Sequence, residues 1–308
     1  MPVMKRSFLP LLLLCLFHPL LAQDDDGQGL LSLLGDEPTT DLARASFKTT
    51  RVVNGHSIEN TAPGVLDVRI SHRFAPVRRG LYDLFGLDGA AIRIGLDYGI
   101  TDRLMVGIGR SSREKLYDGF LKYRLLWQSS GERNMPVSVS YFTDIEVKTI
   151  EFEDPSRPNL FTSRLYFTHQ LLIARKFNER LTLQVAPTLV HLNLVPSKAD
   201  RNDVFSVGFA GRIKLSRRVT LNAEYYYIPG GQMSRPFAQP LAIGFDIETG
   251  GHVFQLHFTN AADMAYKGLI TQTDEKWLDK SDDGDLVSGI RFGFNLSRVF
   301  TIVQPKGF

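Results

Sequence analysis

Apolar side chains occupy every second position in most of the chain between residues 65 and 299, in runs of about ten residues that end at turns. In the run Lys115–Trp127, for example, Leu121 and Tyr123 flank the charged Lys122. Successive side chains of a β-strand point to opposite faces of the sheet, so each run has one apolar and one charged face. Because nearly every run has this division, the pattern predicts a transmembrane β-barrel with an apolar outside and a polar inside.

The runs predict an all-β fold, an antiparallel up-and-down transmembrane β-barrel of about twelve strands, with fourteen strands as the alternative. Tight turns alternate with longer connections, as in outer-membrane barrels, whose short turns face the periplasm. The predicted strands are Val65–Phe74, Ala90–Gly99, Arg103–Ser111, Lys115–Trp127, Pro136–Thr149, Ser163–Phe177, Arg180–Asn193, Val204–Leu215, Val219–Ile228, Leu241–Glu248, His252–Thr259 and Val287–Ser297.

The strand count also decides the place of Phe47–Val53, a β-like run followed by the turn signal Asn54-Gly55. An even number of strands places both ends of the barrel on the periplasmic side, and a thirteenth strand would break this parity. We therefore predict that Phe47–Val53 does not span the membrane and forms a plug or a periplasmic lip.

The N-terminus has the features of a signal peptide. Lys5 and Arg6 precede a short apolar core, and Ala22 offers a small residue before a cleavage site. A membrane anchor is the competing interpretation. The predicted organisation is a signal peptide at 1–22, a periplasmic N-terminal segment with a possible plug at 23–64, a barrel at 65–300 and a tail at 301–308. We thus expect export to the outer membrane of a Gram-negative cell.

Composition excludes several classes of protein. Beyond residue 22, no stretch reaches the ~18 apolar residues that a membrane helix needs. The single cysteine, Cys15, lies in the predicted signal peptide, so the mature chain would have neither disulfides nor thiolate metal sites. Removal of Lys5 and Arg6 takes two from the 36 basic residues, against 33 acidic ones, and leaves a net charge near +1. This balance gives no reason to expect a nucleic-acid partner.

The charged positions of the strands define a candidate lumen. On the lipid face, a charge at the bilayer midplane would cost about 2–4 kcal/mol, so this parity must face water or a partner. Both signs occur in similar numbers. The candidate lumen-lining residues are Asp67, Arg69, Arg73, Arg93, Asp97, Asp118, Lys122, Arg124, Asp144, Glu146, Arg164, Arg212, Glu224, Asp246 and Arg291.

Motifs for catalysis, metals and cofactors are weak. The hydrolase elbow Gly-x-Ser-x-Gly is absent, and His72 has the opposite parity to Ser71 and Asp67, the only partners of a candidate site. The stretch Asp279–Asp285 shares the start of a calcium loop, but Ile290 replaces the glutamate that such a loop needs. We predict no catalytic residue, no metal site and no cofactor.

Several short motifs resemble one family of Gram-negative outer-membrane β-barrel proteins, which is catalogued as a domain of unknown function. The resemblance covers roughly residues 47 to 300 and implies the fold and the location, but no activity and no catalytic residue. The motifs are His72-Arg73-Phe74, Phe85–Asp88, Gly109–Ser112, Tyr117–Tyr123, Gly293–Asn295 and Arg298–Phe300.

Three functions remain open at this stage. A small channel or passive transporter with a charged lumen would pass small polar solutes. A structural or partner-docking barrel of an envelope assembly would instead close its bore with paired charges and bind a periplasmic or envelope protein. A barrel-embedded hydrolase is the third alternative. The longest loop, residues 260–286, is expected to form a lid or a partner surface, and lipid of the outer membrane is the partner common to all three.

Overall fold

The computed structural model describes residues 39–151, 160–280 and 286–304. The predicted signal peptide at 1–22, residues 23–38 of the predicted N-terminal segment and residues 281–285 of the acidic loop lie outside these ranges. Within them, no helix is both long and apolar enough to span a membrane.

Twelve antiparallel strands form one closed barrel, each paired with its neighbours in sequence, and the last strand pairs with the first. The predicted architecture and strand number are therefore confirmed. The strands are β1 Val65–Pro76, β2 Ala90–Gly99, β3 Leu104–Ser111, β4 Leu116–Leu126, β5 Ser138–Lys148, β6 Leu165–Lys176, β7 Leu181–Leu192, β8 Asp203–Lys214, β9 Val219–Tyr227, β10 Leu241–Thr249, β11 His252–Thr259 and β12 Arg291–Thr301.

The last strand differs most from its predicted bounds of Val287–Ser297. Val287 pairs instead with Asp279 in a separate two-stranded ribbon, and Gly289 lies in the connection that follows. Strand β12 begins at Arg291 and ends at Thr301, where it pairs with Val65. The start of β1 therefore determines where β12 ends, and alternation within the last run alone does not contain this information.

Each strand has one exposed apolar face and one buried polar face. On β8, Phe209 is 47% exposed, whereas Ser206 is 3% exposed. On β9 and β10, the inward Glu224 and Asp246 are buried as well, while Phe245 is exposed. In a closed barrel, the buried face is the inside. The wall therefore encloses polar side chains and presents apolar ones outward, as its alternating sequence requires.

The two ends of the barrel differ. Tight turns join β2 to β3, β6 to β7, β8 to β9 and β10 to β11, and we name this end the short-turn mouth. The chain also enters and leaves the barrel there, since the N–H groups of Ile302 and Val303 both donate to the carbonyl of Gly64. Longer connections lie at the opposite end, the long-loop mouth.

Two of the described segments outside the wall are buried. Residues 49–58, which we name the lumen hairpin, precede β1 and are almost entirely buried. Residues 261–273, the lid segment, follow β11 and contain the short helix α1, Tyr266–Thr271, all of whose residues are buried. At the short-turn mouth, a short strand at Thr40–Leu42 pairs with Ser129–Gly131 in the connection between β4 and β5.

The apolar outer face generates a prediction about depth in the bilayer. Phe209→Arg, at the middle of β8, should lower the free energy of folding into lipid vesicles by about 2–4 kcal/mol. Leu215→Arg, just past the end of the same strand, should cost about 0–1 kcal/mol because it lies near the interface. Denaturant titrations of the vesicle-embedded variants measure both costs. Equal costs at the two positions would contradict a lipid-facing β8.

Candidate functional site

The structure buries most of the predicted lumen residues. Arg164 lies outside the wall, in a 3-10 turn at Phe161–Arg164, where its guanidinium donates to the carbonyls of Lys148 and Ile150. Asp118 and Arg291 are partly buried. The remaining twelve are buried: Asp67, Arg69, Arg73, Arg93, Asp97, Lys122, Arg124, Asp144, Glu146, Arg212, Glu224 and Asp246.

Several of these charges pair with each other along the wall. Arg93 on β2 meets Asp118 on β4 at 2.5 Å, and Arg69 meets Asp67 on the same strand at 3.3 Å. A buried ion pair avoids the cost of leaving either charge alone in a medium of low dielectric constant. Both partners of each pair belong to the wall, although Arg69 also donates to Thr50 Oγ1 inside the barrel at 3.1 Å.

The lumen hairpin fills the centre of the barrel. The N–H of Val52 donates to the carbonyl of Gly55, the N–H of Ser57 donates to Thr50, and Arg51 and His56 form an isolated β-bridge. Its tip contains Asn54-Gly55, the turn signal in the sequence. The preceding run Phe47–Val53 is not a strand of the wall, as the parity argument requires.

The wall holds this region of the chain from three sides. Lys122 on β4 donates to the carbonyl of Ser57 at 3.0 Å, and Asn295 on β12 donates to the carbonyl of Val53 at 3.0 Å. Arg212 on β8 donates to the carbonyl of Ala45, just before the hairpin, at 2.6 Å. These strands lie four positions apart around a ring of twelve. The hairpin therefore occupies the axis of the barrel.

A single carboxylate holds the hairpin tip. Glu224 on β9 accepts the N–H groups of Val53, Asn54 and Gly55 at 3.2, 2.8 and 3.1 Å. A Cβ at position 55 would lie 1.9 Å from the Tyr226 hydroxyl, so glycine is required there for this close approach. Three N–H groups donate to one buried carboxylate, and hydrogen bonds to a charged acceptor are stronger than those to a neutral one.

Apolar contacts support the hairpin as well. Val52, Val53 and Ile58 belong to the same buried cluster as Phe120 and Phe142 of the wall. The ring of His56 packs against Phe142, with ring centroids 4.1 Å apart. Since the neighbouring Arg51 can only donate, the Nδ1 atom of His56 accepts its hydrogen bond and the imidazole is neutral.

The lid segment enters the barrel from the long-loop mouth and meets the hairpin. The Tyr266 hydroxyl accepts the N–H of His56 at 2.7 Å and donates to Gln170 on β6 at 2.9 Å. The N–H of Lys267 donates to Glu146 on β5 at 3.1 Å. The Tyr266 hydroxyl therefore joins the lid to the hairpin. The hairpin closes the bore from the short-turn mouth, and the lid closes it from the long-loop mouth.

Glu114 fastens the lid segment at the long-loop mouth. It lies in the 3-10 turn Arg113–Lys115 and forms ion pairs with Lys267 of the lid and with Lys148, the latter at 3.1 Å. Burial by itself raises the pKa of Glu114, but the ammonium groups of Lys267 and Lys148 outweigh burial and lower the pKa to about 2. The carboxylate is therefore charged, and the ion pair is intact, at neutral pH.

Little space remains where the two segments meet. A cavity of about 20 Å³ lies between them, lined by Arg51, Asp118, Asp144 and Tyr266 among others. This volume holds about one water molecule. A larger cavity of about 460 Å³ opens at the short-turn mouth beside Phe47 and Lys48. The bore of the barrel is therefore closed where the hairpin and the lid meet.

Reasoning from the sequence missed the neutral part of this site. Gln184, Gln255 and Asn295 point inward and donate to the hairpin carbonyls of His56, Val52 and Val53. Their inward parity was visible in the alternation, but only charged residues were selected as lumen candidates. Tyr266 and Lys267 had no comparable signal, because their loop has irregular apolar spacing.

Chemical sites are sparse in the wall. Within the described ranges, no three or more His, Cys, Asp and Glu side chains are grouped as metal ligands. His72 stacks on Phe294 with ring centroids 4.5 Å apart and is only partly buried, whereas Ser71 and Asp67 are buried. His72 therefore lies on the opposite face of β1 from the other two members of the candidate hydrolase site.

One family of known proteins agrees with the barrel fold. A family model for a membrane bound beta barrel domain (DUF5777) matches residues 47–300. No curated protein matches the chain. Solved structures with a similar fold include the NanC porin, with 8% identity over 76% of this chain and 98% of that chain and a TM-score of 0.48. The KdgM porin has 8% identity over 77% and 99% of the two chains and a TM-score of 0.44.

The grip on the hairpin tip yields a prediction. Glu224→Ala leaves the N–H groups of the tip without an acceptor, so it should lower the free energy of unfolding by about 1–3 kcal/mol. Glu248→Ala is the matched control. Glu248 pairs with Lys48 before the hairpin but is exposed, so its loss should cost about 0–1 kcal/mol. Denaturant titrations of both variants measure the difference, and similar losses would contradict the role of Glu224.

The lid contact of Glu114 gives a pH dependence. The folded pKa of about 2 lies below the ordinary value of 4.5, so Glu114 stabilises the fold above pH 4.5 and loses this effect as the pH falls through about 2. The melting temperatures of wild type and Glu114→Gln should therefore differ above pH 4.5 and converge toward pH 2. Glu151→Gln, at an exposed loop carboxylate, is the control. A difference that stayed constant with pH would refute this effect.

Proposed function

Because the chain belongs to the family of membrane-bound beta barrel domains designated DUF5777, we propose that it is a gated channel for small polar solutes in the outer membrane. In the closed state described here, the lumen hairpin and the lid segment occupy its bore. The observation that carries the proposal is the way these segments are held. Side chains of a polar wall contact the backbone groups of both segments, and the wall itself is closed by its own strand pairing.

Strand number supports this proposal. Eight strands give a barrel that its own side chains fill, whereas sixteen leave an aqueous channel. With twelve strands, this barrel needs additional chain to close it, and the hairpin and lid supply that chain. Their withdrawal would leave a bore lined by polar side chains that water can solvate.

The wall contacts also suit a reversible closure. Lys122, Glu224 and Asn295 can each exchange a hairpin backbone group for water or for a polar solute. A typical hydrogen bond contributes only about 0.5–1.5 kcal/mol net, because water replaces the lost partner. The ion pairs Arg93–Asp118 and Arg69–Asp67 would stay in place, so positive and negative charges in the bore would remain balanced. We therefore expect weak selectivity between small ions.

The second candidate is a structural or partner-docking barrel of an envelope assembly. The observation that favours it is the apolar packing of Phe47, Val52, Val53 and Ile58 within the barrel, which is typical of a permanent core. In this case the bore would never open, and a periplasmic or envelope protein would be the partner.

Conductance of the full-length chain in planar bilayers separates the two candidates. We expect rare openings in wild type and openings about 5- to 150-fold more frequent in the double variant Glu224→Ala/Tyr266→Phe, which corresponds to a bias of about 1–3 kcal/mol. The variant removes the grip on the tip and the phenol that the two segments share. Glu248→Ala is the control and should behave as wild type. A double variant that folds and inserts but shows no discrete openings would reject the channel and leave the structural barrel.

Export forms part of the same proposal. We infer that residues 1–22 are removed after Ala22, and that the short-turn mouth faces the periplasm, where both chain ends would lie. The intact mass of the chain purified from the outer membrane tests this inference. A mass that still includes residues 1–22 would contradict cleavage.

A further inference from the structure

One row of hydrogen-bonded neighbours crosses the inner wall from β8 to β1. The row alternates large polar residues with glycines in its second half, and it rises from the short-turn mouth toward the long-loop mouth because the strands are tilted. Its members are Arg212, Asn222, Gly244, His257, Gly293 and Arg73.

Arg73 and His257 converge above the bare backbone of Gly293. A Cβ at position 293 would lie 2.3 Å from Arg73 Nη1 and 2.4 Å from His257 Nε2. The two nitrogens are therefore no more than 4.7 Å apart, the distance at which both measurements lie on one line. A single carboxylate oxygen at about 2.7–2.9 Å from each nitrogen, or a halide ion at the longer distance that its larger radius requires, can bridge two donors at this separation.

The two side chains are buried, and four of their five nitrogens lack hydrogen-bond partners. Arg73 is 2% exposed and His257 is 1% exposed. Nε and Nη1 of Arg73 and both ring nitrogens of His257 have no hydrogen-bond partner. Arg73 Nη2 donates to Asn54 Oδ1 at the hairpin tip at 2.5 Å, so this contact uses only one of its three nitrogens.

No carboxylate of the described residues is in direct contact with the Arg73 guanidinium. Across the part of the chain that the structure describes, no carboxylate lies within 4.0 Å of its guanidinium. The charged groups that act on it are Glu224, Arg291 and Asp263. Glu224 accepts the three N–H groups of the hairpin tip, Arg291 pairs with Glu275, and Asp263 pairs with Arg113. Glu224 and Asp263 attract the Arg73 charge only from beyond contact distance, whereas Arg69 and Arg93 in the same wall pair directly with aspartates.

We propose that Arg73 Nη1 and His257 Nε2 bind one small monovalent anion above Gly293. The ligand is a halide ion or the carboxylate group of a small solute, since either presents one anionic atom to two converging donors. His257 contributes as a neutral donor with the proton on Nε2. The absence of a side chain at Gly293 provides the room that the two donors need. The proposal does not depend on whether the channel opens.

The site adjoins the hairpin tip. Arg73 contacts Asn54 through one nitrogen and would contact the anion through another, so the bound anion, the arginine and the tip form one chain of contacts. An anion there would keep the guanidinium in the position that reaches the tip.

Anomalous diffraction from crystals of the full-length protein grown in sodium bromide tests the site. We expect a bromide peak within contact distance of both nitrogens in wild type, at full strength across a bromide concentration series. The peak should be lost in Arg73→Gln and retained in His72→Gln, a control whose side chain lies on the outer face of the same strand. A second bromide series in sodium acetate distinguishes the ligands. Displacement of bromide assigns the site to carboxylates, and retention assigns it to halides.

Three results would overturn the proposal. One is a water molecule without anomalous signal at this position in wild type. Another is a peak that fades at low bromide, which would indicate binding at crystal concentration only and an adventitious ion. The third is a peak that persists unchanged in Arg73→Gln. If Arg73→Gln fails to fold, the wild-type concentration series and His257→Phe, which retains a ring without donors, still decide the question.

Discussion

The demand that every backbone N–H and C=O inside a bilayer find a partner governs this structure. A sheet meets the demand by closing on itself, and here the pairing of β12 with β1 completes the ring. Closure with twelve strands then sets the width of the bore, which is too large for wall side chains alone to fill. The polar lining, the hairpin and the lid are consequences of that width.

The backbone groups of the segments that fill the bore also need hydrogen-bond partners. The lumen hairpin joins no sheet of the wall, so its carbonyls and N–H groups need partners from side chains. Lys122, Gln184 and Asn295 supply donors, and Glu224 supplies an acceptor for the tip. This need explains why the inner wall carries long polar side chains where a smaller barrel would carry packed ones. The same polar side chains can form hydrogen bonds with water when the hairpin is absent.

The sequence predicted the wall well and its contents poorly, for physical reasons. A strand's two-residue period is local, so alternation located β2 and β11 at their observed bounds, Ala90–Gly99 and His252–Thr259. The same rule placed the last strand too early, because its register depends on Val65 at the other end of the chain. Contacts between the hairpin and the wall join positions about as distant as Asn54 and Glu224, and no periodicity reports them. Charge identifies only the ionised side chains of the lumen, so it does not predict the role of neutral inward residues such as Gln255.

The chain segments on both sides of the lumen hairpin lie at the short-turn mouth, which bears on how the barrel assembles. Arg212 holds the carbonyl of Ala45 close to the turn after β8, and Thr61 donates to the sulfur of Met105 close to the start of β3. Both arms of the lumen hairpin thus pass through the same opening, and neither arm has to be threaded through the ring of strands. Strand closure and filling of the bore can therefore be separate events. The ring of twelve strands can close first, and the lumen hairpin can enter the bore afterwards without the loss of any strand pairing.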